Sequence, residues 1–142
     1  MGNDISKSYS SNKGSDDMQK SNCNNNQISN FYHLPSSLQE LNCCGNKITN
    51  VDHLPAGLQI LYCYYNKITD VDHLPASLQE LQCNCNRITN VDNLPVSLQE
   101  LSCGQNQITS VDHLPANLRK LYCYNDEITK IDHLPVKLQQ LD

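Results

Sequence analysis

The chain has 142 residues and a net charge of −5, with charged residues making up 18% of it. An acidic balance of this size supplies no basic face for nucleic acid, and no apolar run approaches the ~20 residues of a membrane-spanning helix. Eight cysteines, with no apolar secretory leader ahead of them, are expected as reduced thiols in a cytoplasmic protein.

Residues 1–17 are mostly Ser, Asn, Gly, Lys and Asp. They hold too little apolar area to offset the entropy of ordering, so a disordered leader is expected there. Its first residues, Met1-Gly2-Asn3-Asp4-Ile5-Ser6, fit the M-G-x-x-x-[ST] pattern for N-myristoylation. Acylation at Gly2 would give reversible attachment to a membrane surface, and a weak one, because a single acyl chain binds marginally.

Residues 18–142 form the second region. Cys23, Cys43, Cys63, Cys83, Cys103 and Cys123 recur every 20 residues, and the residues around them recur in step. Units open at Ser21, Leu41, Leu61, Leu81, Leu101 and Leu121, and Leu141-Asp142 begin another. A fixed period of this length marks stacked coils, each unable to bury its apolar face without its neighbours.

Within one period the pattern LxxLxCxxNxI appears, as Leu58, Leu61, Cys63, Asn66 and Ile68, and it repeats from Leu38, Leu78 and Leu98. From Leu118 it ends in Asp126 in place of Asn, and from Met18 it is degenerate. The pattern resembles the leucine-rich-repeat signature. Its LPxxLxxL half, as in Leu74-Pro75-Ala76-Ser77-Leu78-Gln79-Glu80-Leu81, is similar to the short repeats of secreted bacterial effectors and of giant-virus and amoebal proteins. The resemblance implies a leucine-rich-repeat solenoid with a concave parallel β-sheet and a protein-binding role.

Alternation in the strand puts Leu61 and Cys63 on one side and Tyr62 on the other. Only nine residues separate Ile68 from Leu78, too few for a helix with its turns, so extended or 3₁₀ structure is expected on the convex side. Asn26, Asn46, Asn66, Asn86 and Asn106 are expected to satisfy backbone groups where the chain leaves the strand, because an amide both donates and accepts. Asp126 lacks the donors and should cap less well. The Cys column reads as core, since Cys packs as a small hydrophobe. Cys44 and Cys85, outside that column, are expected to face solvent.

Asp-His pairs at Asp52-His53, Asp72-His73, Asp112-His113 and Asp132-His133, interrupted by Asp92-Asn93, suggest acid–base or metal chemistry. They recur because the repeat recurs, and the Asp is expected to hydrogen-bond local backbone. No catalytic residue, metal site or cofactor is expected.

Function in a regular solenoid sits where the repeat varies. Tyr62, Tyr64 and Tyr65 form one expected patch on the sheet face and Tyr122 and Tyr124 another, roughly 14 Å away, with Gln82, Asn84 and Gln105 between. Tyrosine gives a large, rigid contact area with a polar tip. A protein or peptide partner on this face is therefore the expected function. The alternative is a structural protein associating with copies of itself through the strand edge opened by Leu138 and Leu141.

Overall fold

A computed structural model of the chain describes residues 3–4, 18–124, 126–129 and 131–142. Gly2 and all of the leader except Asn3–Asp4 lie outside the described residues. Among the described residues there are nine strands: β1 Asn3–Asp4, β2 Lys20–Asn22, β3 Ile28–Asn30, β4 Glu40–Asn42, β5 Ile60–Tyr62, β6 Glu80–Gln82, β7 Glu100–Ser102, β8 Lys120–Tyr122 and β9 Gln140–Leu141. Seven make one parallel sheet in the order β2-β4-β5-β6-β7-β8-β9, and β1 pairs with β3 in a small second sheet. The register advances by one period per strand, for example Leu41↔Leu61 and Leu61↔Leu81. The described residues contain no helix, so none is long and apolar enough to cross a membrane.

Each short strand is flanked by further inter-coil bonds. Cys63 N donates to Gln82 O at 2.9 Å, Tyr65 N to Asn84 O at 3.1 Å and Lys67 N to Ile48 O at 2.9 Å. The convex side is extended between tight turns, in one of which Leu58 N donates to Pro55 O and, a coil later, Leu78 N to Pro75 O. This is a single i→i+3 bond of the 3₁₀ type, set up by the fixed φ of proline.

Side chains alternate as the strand pattern requires. Leu41, Leu61, Leu81, Leu101 and Leu121 are fully buried, as are Cys43, Cys63, Cys83 and Cys103. Val51, Val71, Val91 and Val111 close the core from the other wall. Burial holds the thiols protonated: it pushes Cys23 up to about 12 and raises Cys43, Cys63, Cys83 and Cys103 well above the ordinary thiol value. All eight cysteines are free.

The asparagine column works as two-sided backbone mimicry. Asn86 Oδ1 accepts from Ile68 N at 2.9 Å, while its Nδ2 donates to Cys63 O at 3.1 Å and Cys83 O at 2.9 Å. One amide thus bridges two coils and satisfies groups that would otherwise be buried unpaired. Asp126 makes only half of this set. Its Oδ1 accepts from Asn106 N at 2.9 Å and Ile108 N at 3.4 Å, but its buried Oδ2 has no partner. Desolvation accordingly raises the Asp126 pKa, and the two N–H donors only partly oppose it.

Candidate functional site

Three residues past the ends of β2, β4, β5, β6 and β7 the chain adopts the left-handed region. Asn25, Gly45, Tyr65, Cys85 and Gln105 all have φ between 55° and 66°. Gly45 and Asn25 tolerate this region, so Tyr65, Cys85 and Gln105 accept strain of about 1–2 kcal/mol each. This backbone turn aims Tyr65 and Cys85 along the rim of the sheet face.

Tyr64 and Tyr65 meet edge to face, with ring centroids 5.7 Å apart and planes at 78°, an orientation that ring quadrupoles favour. The Cys44 thiol beside the Tyr64 hydroxyl raises the Tyr64 pKa. Tyr65 interacts in the same way with Cys85, and its hydroxyl is raised too. Cys85 itself donates to Gln105 Oε1 at 2.7 Å.

Cys44 overturns its expected position, being only 3% exposed. Tyr64 of the next coil lies against it, and its backbone N is held by Asn24 Oδ1 at 3.0 Å. Desolvation raises its pKa, so Cys44 is a packed thiol. Cys85 is half-buried.

The two tyrosine patches expected from the sequence are joined. Gly104 carries no side chain where the other coils have Asn84, Tyr64 or Cys44, and the Tyr124 ring lies over it. A Cβ placed on Gly104 would come within 2.8 Å of Tyr124 Cδ1 and Cε1. From there Tyr124 reaches the same depression as Tyr64 and Tyr65, a hollow of about 290 Å³ also lined by Gln82, Asn84 and Cys85. Tyr65 and Tyr124 remain exposed, at 63% and 40%.

Of the other residues singled out in the sequence, Tyr62 lies beside the hollow, next to Gln82 in register. Burial, then the carboxylates of Glu80, Glu40 and Glu100, push its hydroxyl up. Tyr122 pairs in register with Ser102, away from the hollow. Gln105 contributes through its bond to Cys85. Cys85 as a lining residue was missed, because its place depends on the left-handed turn that only Gly45 advertises in the sequence.

The acid–imidazole column behaves differently from the local capping expected of it. Asp52 Oδ1 meets His73 Nδ1 at 3.4 Å, Asp72 Oδ1 accepts from Asn93 Nδ2 at 3.3 Å, and Asp92 Oδ1 meets His113 Nδ1 at 3.3 Å. Each aspartate therefore reaches across to the following coil. Asp52, Asp70 and His73 present three ligand atoms within 4.8 Å of one another, all on open surface. With His73 Nδ1 already engaged by Asp52, the trio reads as part of the inter-coil ladder.

The model of the family described as leucine-rich repeats (2 copies) matches residues 56–96 and again 96–136. Among solved structures, YopM from Yersinia enterocolitica superposes with a TM-score of 0.82 at 30% identity, over 88% of this chain and 28% of that one. The functional domain of InlJ from Listeria monocytogenes, described as including a cysteine ladder, gives 0.75 at 32% identity over 89% and 30%. A Shigella effector leucine-rich-repeat domain gives 0.67 at 27% identity over 75% and 48%. The chain spans less than half the length of each of these neighbours. No curated protein matches it. Two repeat-model matches over more than half of the sequence, on a parallel sheet built one strand per coil, establish that the chain belongs to the leucine-rich-repeat family.

Proposed function

We propose that the chain is a non-catalytic scaffold that binds a protein or peptide partner on its sheet face. The observation that carries this is the convergence of Tyr64, Tyr65 and Tyr124 on one hollow floored by the amides of Gln82 and Asn84. Rings held by neighbouring side chains lose little entropy on binding, and the raised hydroxyls of Tyr64 and Tyr65 stay protonated as donors. The hollow has room for one large side chain of a partner, with amides at its floor to orient a polar group.

The test is comparative capture in cells. A species retained by the wild type and by a convex-side Tyr32→Ala control, but lost by Tyr64→Ala/Tyr124→Ala, supports the reading. Equal retention by all three removes it. Cytoplasmic placement, and weak membrane attachment through acylated Gly2, complete the proposal. Intact-mass measurement on protein from eukaryotic cells checks the acylation, and an unmodified Gly2 rejects it.

Association of copies through the last coil is a second reading. It is favoured by Ile131, Leu134, Val136 and Leu141, which are 51%, 37%, 96% and 48% exposed. Apparent mass rising with concentration in sedimentation supports it; a constant mass does not.

A further inference from the structure

A second depression lies at the opposite ends of the strands from the tyrosine hollow. It has a volume of about 300 Å³ and is lined by Gln79, Ser97, Gln99, Asn117, Arg119 and Lys137. Two columns of the repeat meet there. One reads Gln19, Gln39, Gln59, Gln79, Gln99, Arg119, Gln139, and the other Ser37, Gly57, Ser77, Ser97, Asn117, Lys137. Each column departs from its own pattern to a cation, and the two departures fall in adjacent coils at one place.

The surroundings leave those cations uncompensated. No carboxylate lines the depression. Among the described residues neither Arg119 nor Lys137 takes part in an ion pair. Lys137 Nζ is anchored by Asn117 Oδ1 at 2.7 Å, and Asn117 is itself fixed by its bond to Val96 O at 3.0 Å. An anchored ammonium keeps two further N–H donors, and the Arg119 guanidinium offers a planar fork matched to oxyanions. The amides of Gln79 and Gln99 add neutral donors. On a chain of net charge −5, two such cations facing one polar hollow without an acid form a local inversion of charge.

We propose that this depression binds a phosphate group, with Arg119 and Lys137 as its charged contacts and the glutamine amides as its walls. Ser97 is not a contact, because its hydroxyl already donates to Ala76 O and Leu78 O. The site is separate from the tyrosine hollow, so its failure would leave the partner-binding reading untouched.

The test is an NMR titration of the full chain with inorganic phosphate at constant ionic strength, with chloride as the control. The variant is R119Q/K137S, which installs the residues that neighbouring coils carry and so leaves the stacking intact. The wild type is expected to show saturable shifts of the Arg119 side-chain N–H and of the Gln99 and Asn117 amides. The variant should bind about tenfold more weakly or worse, the loss of one charge-assisted contact or more. Shifts that do not saturate, equal shifts with chloride, or an unchanged double variant would overturn the proposal.

Vesicles of phosphatidylcholine with and without phosphatidic acid separate the sources of the group. Sedimentation with the acidic vesicles alone, lost in the variant, supports a lipid phosphate. Saturation by phosphate without sedimentation supports a soluble one. Sedimentation that survives in R119Q/K137S overturns the assignment.

Discussion

The fourth coil and the last one carry the same or similar apolar residues at their core positions, and these meet different fates. Val91 is 1% exposed, whereas its counterpart Ile131 is 51% exposed; in the leucine column Leu81 and Leu121 are fully buried, whereas Leu141, which opens the next unit, is 48% exposed. Cys83 is buried and Cys123 only half so. Side-chain type is therefore not what makes a core position in this molecule. A leucine becomes core when a coil stacks on each side of it, as nearest-neighbour energetics in solenoids require.

The sharpest way to break that comparison is to delete the same atoms in both places. Leu81→Ala removes a side chain packed by β5 and β7 and should cost about 3–4 kcal/mol in urea unfolding. Leu141→Ala, at the exposed strand β9, should cost less than ~1 kcal/mol, in proportion to the smaller area it buries. Equal losses would mean that the coils do not draw their stability from stacking.

The next difference lies between Asn106 and Asp126, the same column position one coil apart. Asn106 donates to Cys83 O at 3.1 Å and Cys103 O at 2.6 Å, contacts that an ionised aspartate cannot make. Asp126→Asn should stabilise the chain by about 1–2 kcal/mol at neutral pH, the size of a restored buried hydrogen bond. The sign follows from the raised Asp126 pKa. Folding favours the protonated acid relative to the unfolded chain, so the wild type loses stability as pH rises through its folded pKa. The advantage of Asn should therefore shrink as the pH is lowered toward about 4, near the ordinary carboxylate value. A gain independent of pH would place its origin elsewhere.

Much of this was legible in the sequence, and the reason is the period. Twenty-residue spacing fixes which column a residue occupies, so the buried Leu, Cys and Val columns, the asparagine ladder and the weaker cap at Asp126 could all be read before the coordinates of any atom. What the period does not encode is reach between coils. Cys44 is buried because Tyr64 lies against it, and Tyr124 joins Tyr64 and Tyr65 because Gly104 leaves the space between. The Asp52–His73 contact likewise spans two coils. The Arg119 and Lys137 departures stand in plain view in their columns; only the fold puts them side by side.

The left-handed position was hidden for a different reason: three of its five described occupants, Tyr65, Cys85 and Gln105, are residues that disfavour it. This offers the smallest and cleanest contrast, between two exposed glutamines in one coil. Gln105 has φ +59°, whereas Gln107 is not among the positive-φ residues. Glycine adopts a left-handed φ without a Cβ clash, so Gln105→Gly should relieve the strain, offset by the greater freedom of glycine in the unfolded chain and by the lost acceptor for Cys85. A net gain of about 0.5 kcal/mol is expected. Gln107→Gly meets only the entropic penalty and should lose about 0.5–1 kcal/mol. Thermal unfolding followed by circular dichroism would read the pair as opposite shifts of a few degrees, since about 1 kcal/mol moves Tm by roughly 2–4 °C at this size. If Gln105→Gly lowers Tm as far as Gln107→Gly does, the turn is not strained, and the orientation of Tyr65 and Cys85 must be set by their side-chain contacts.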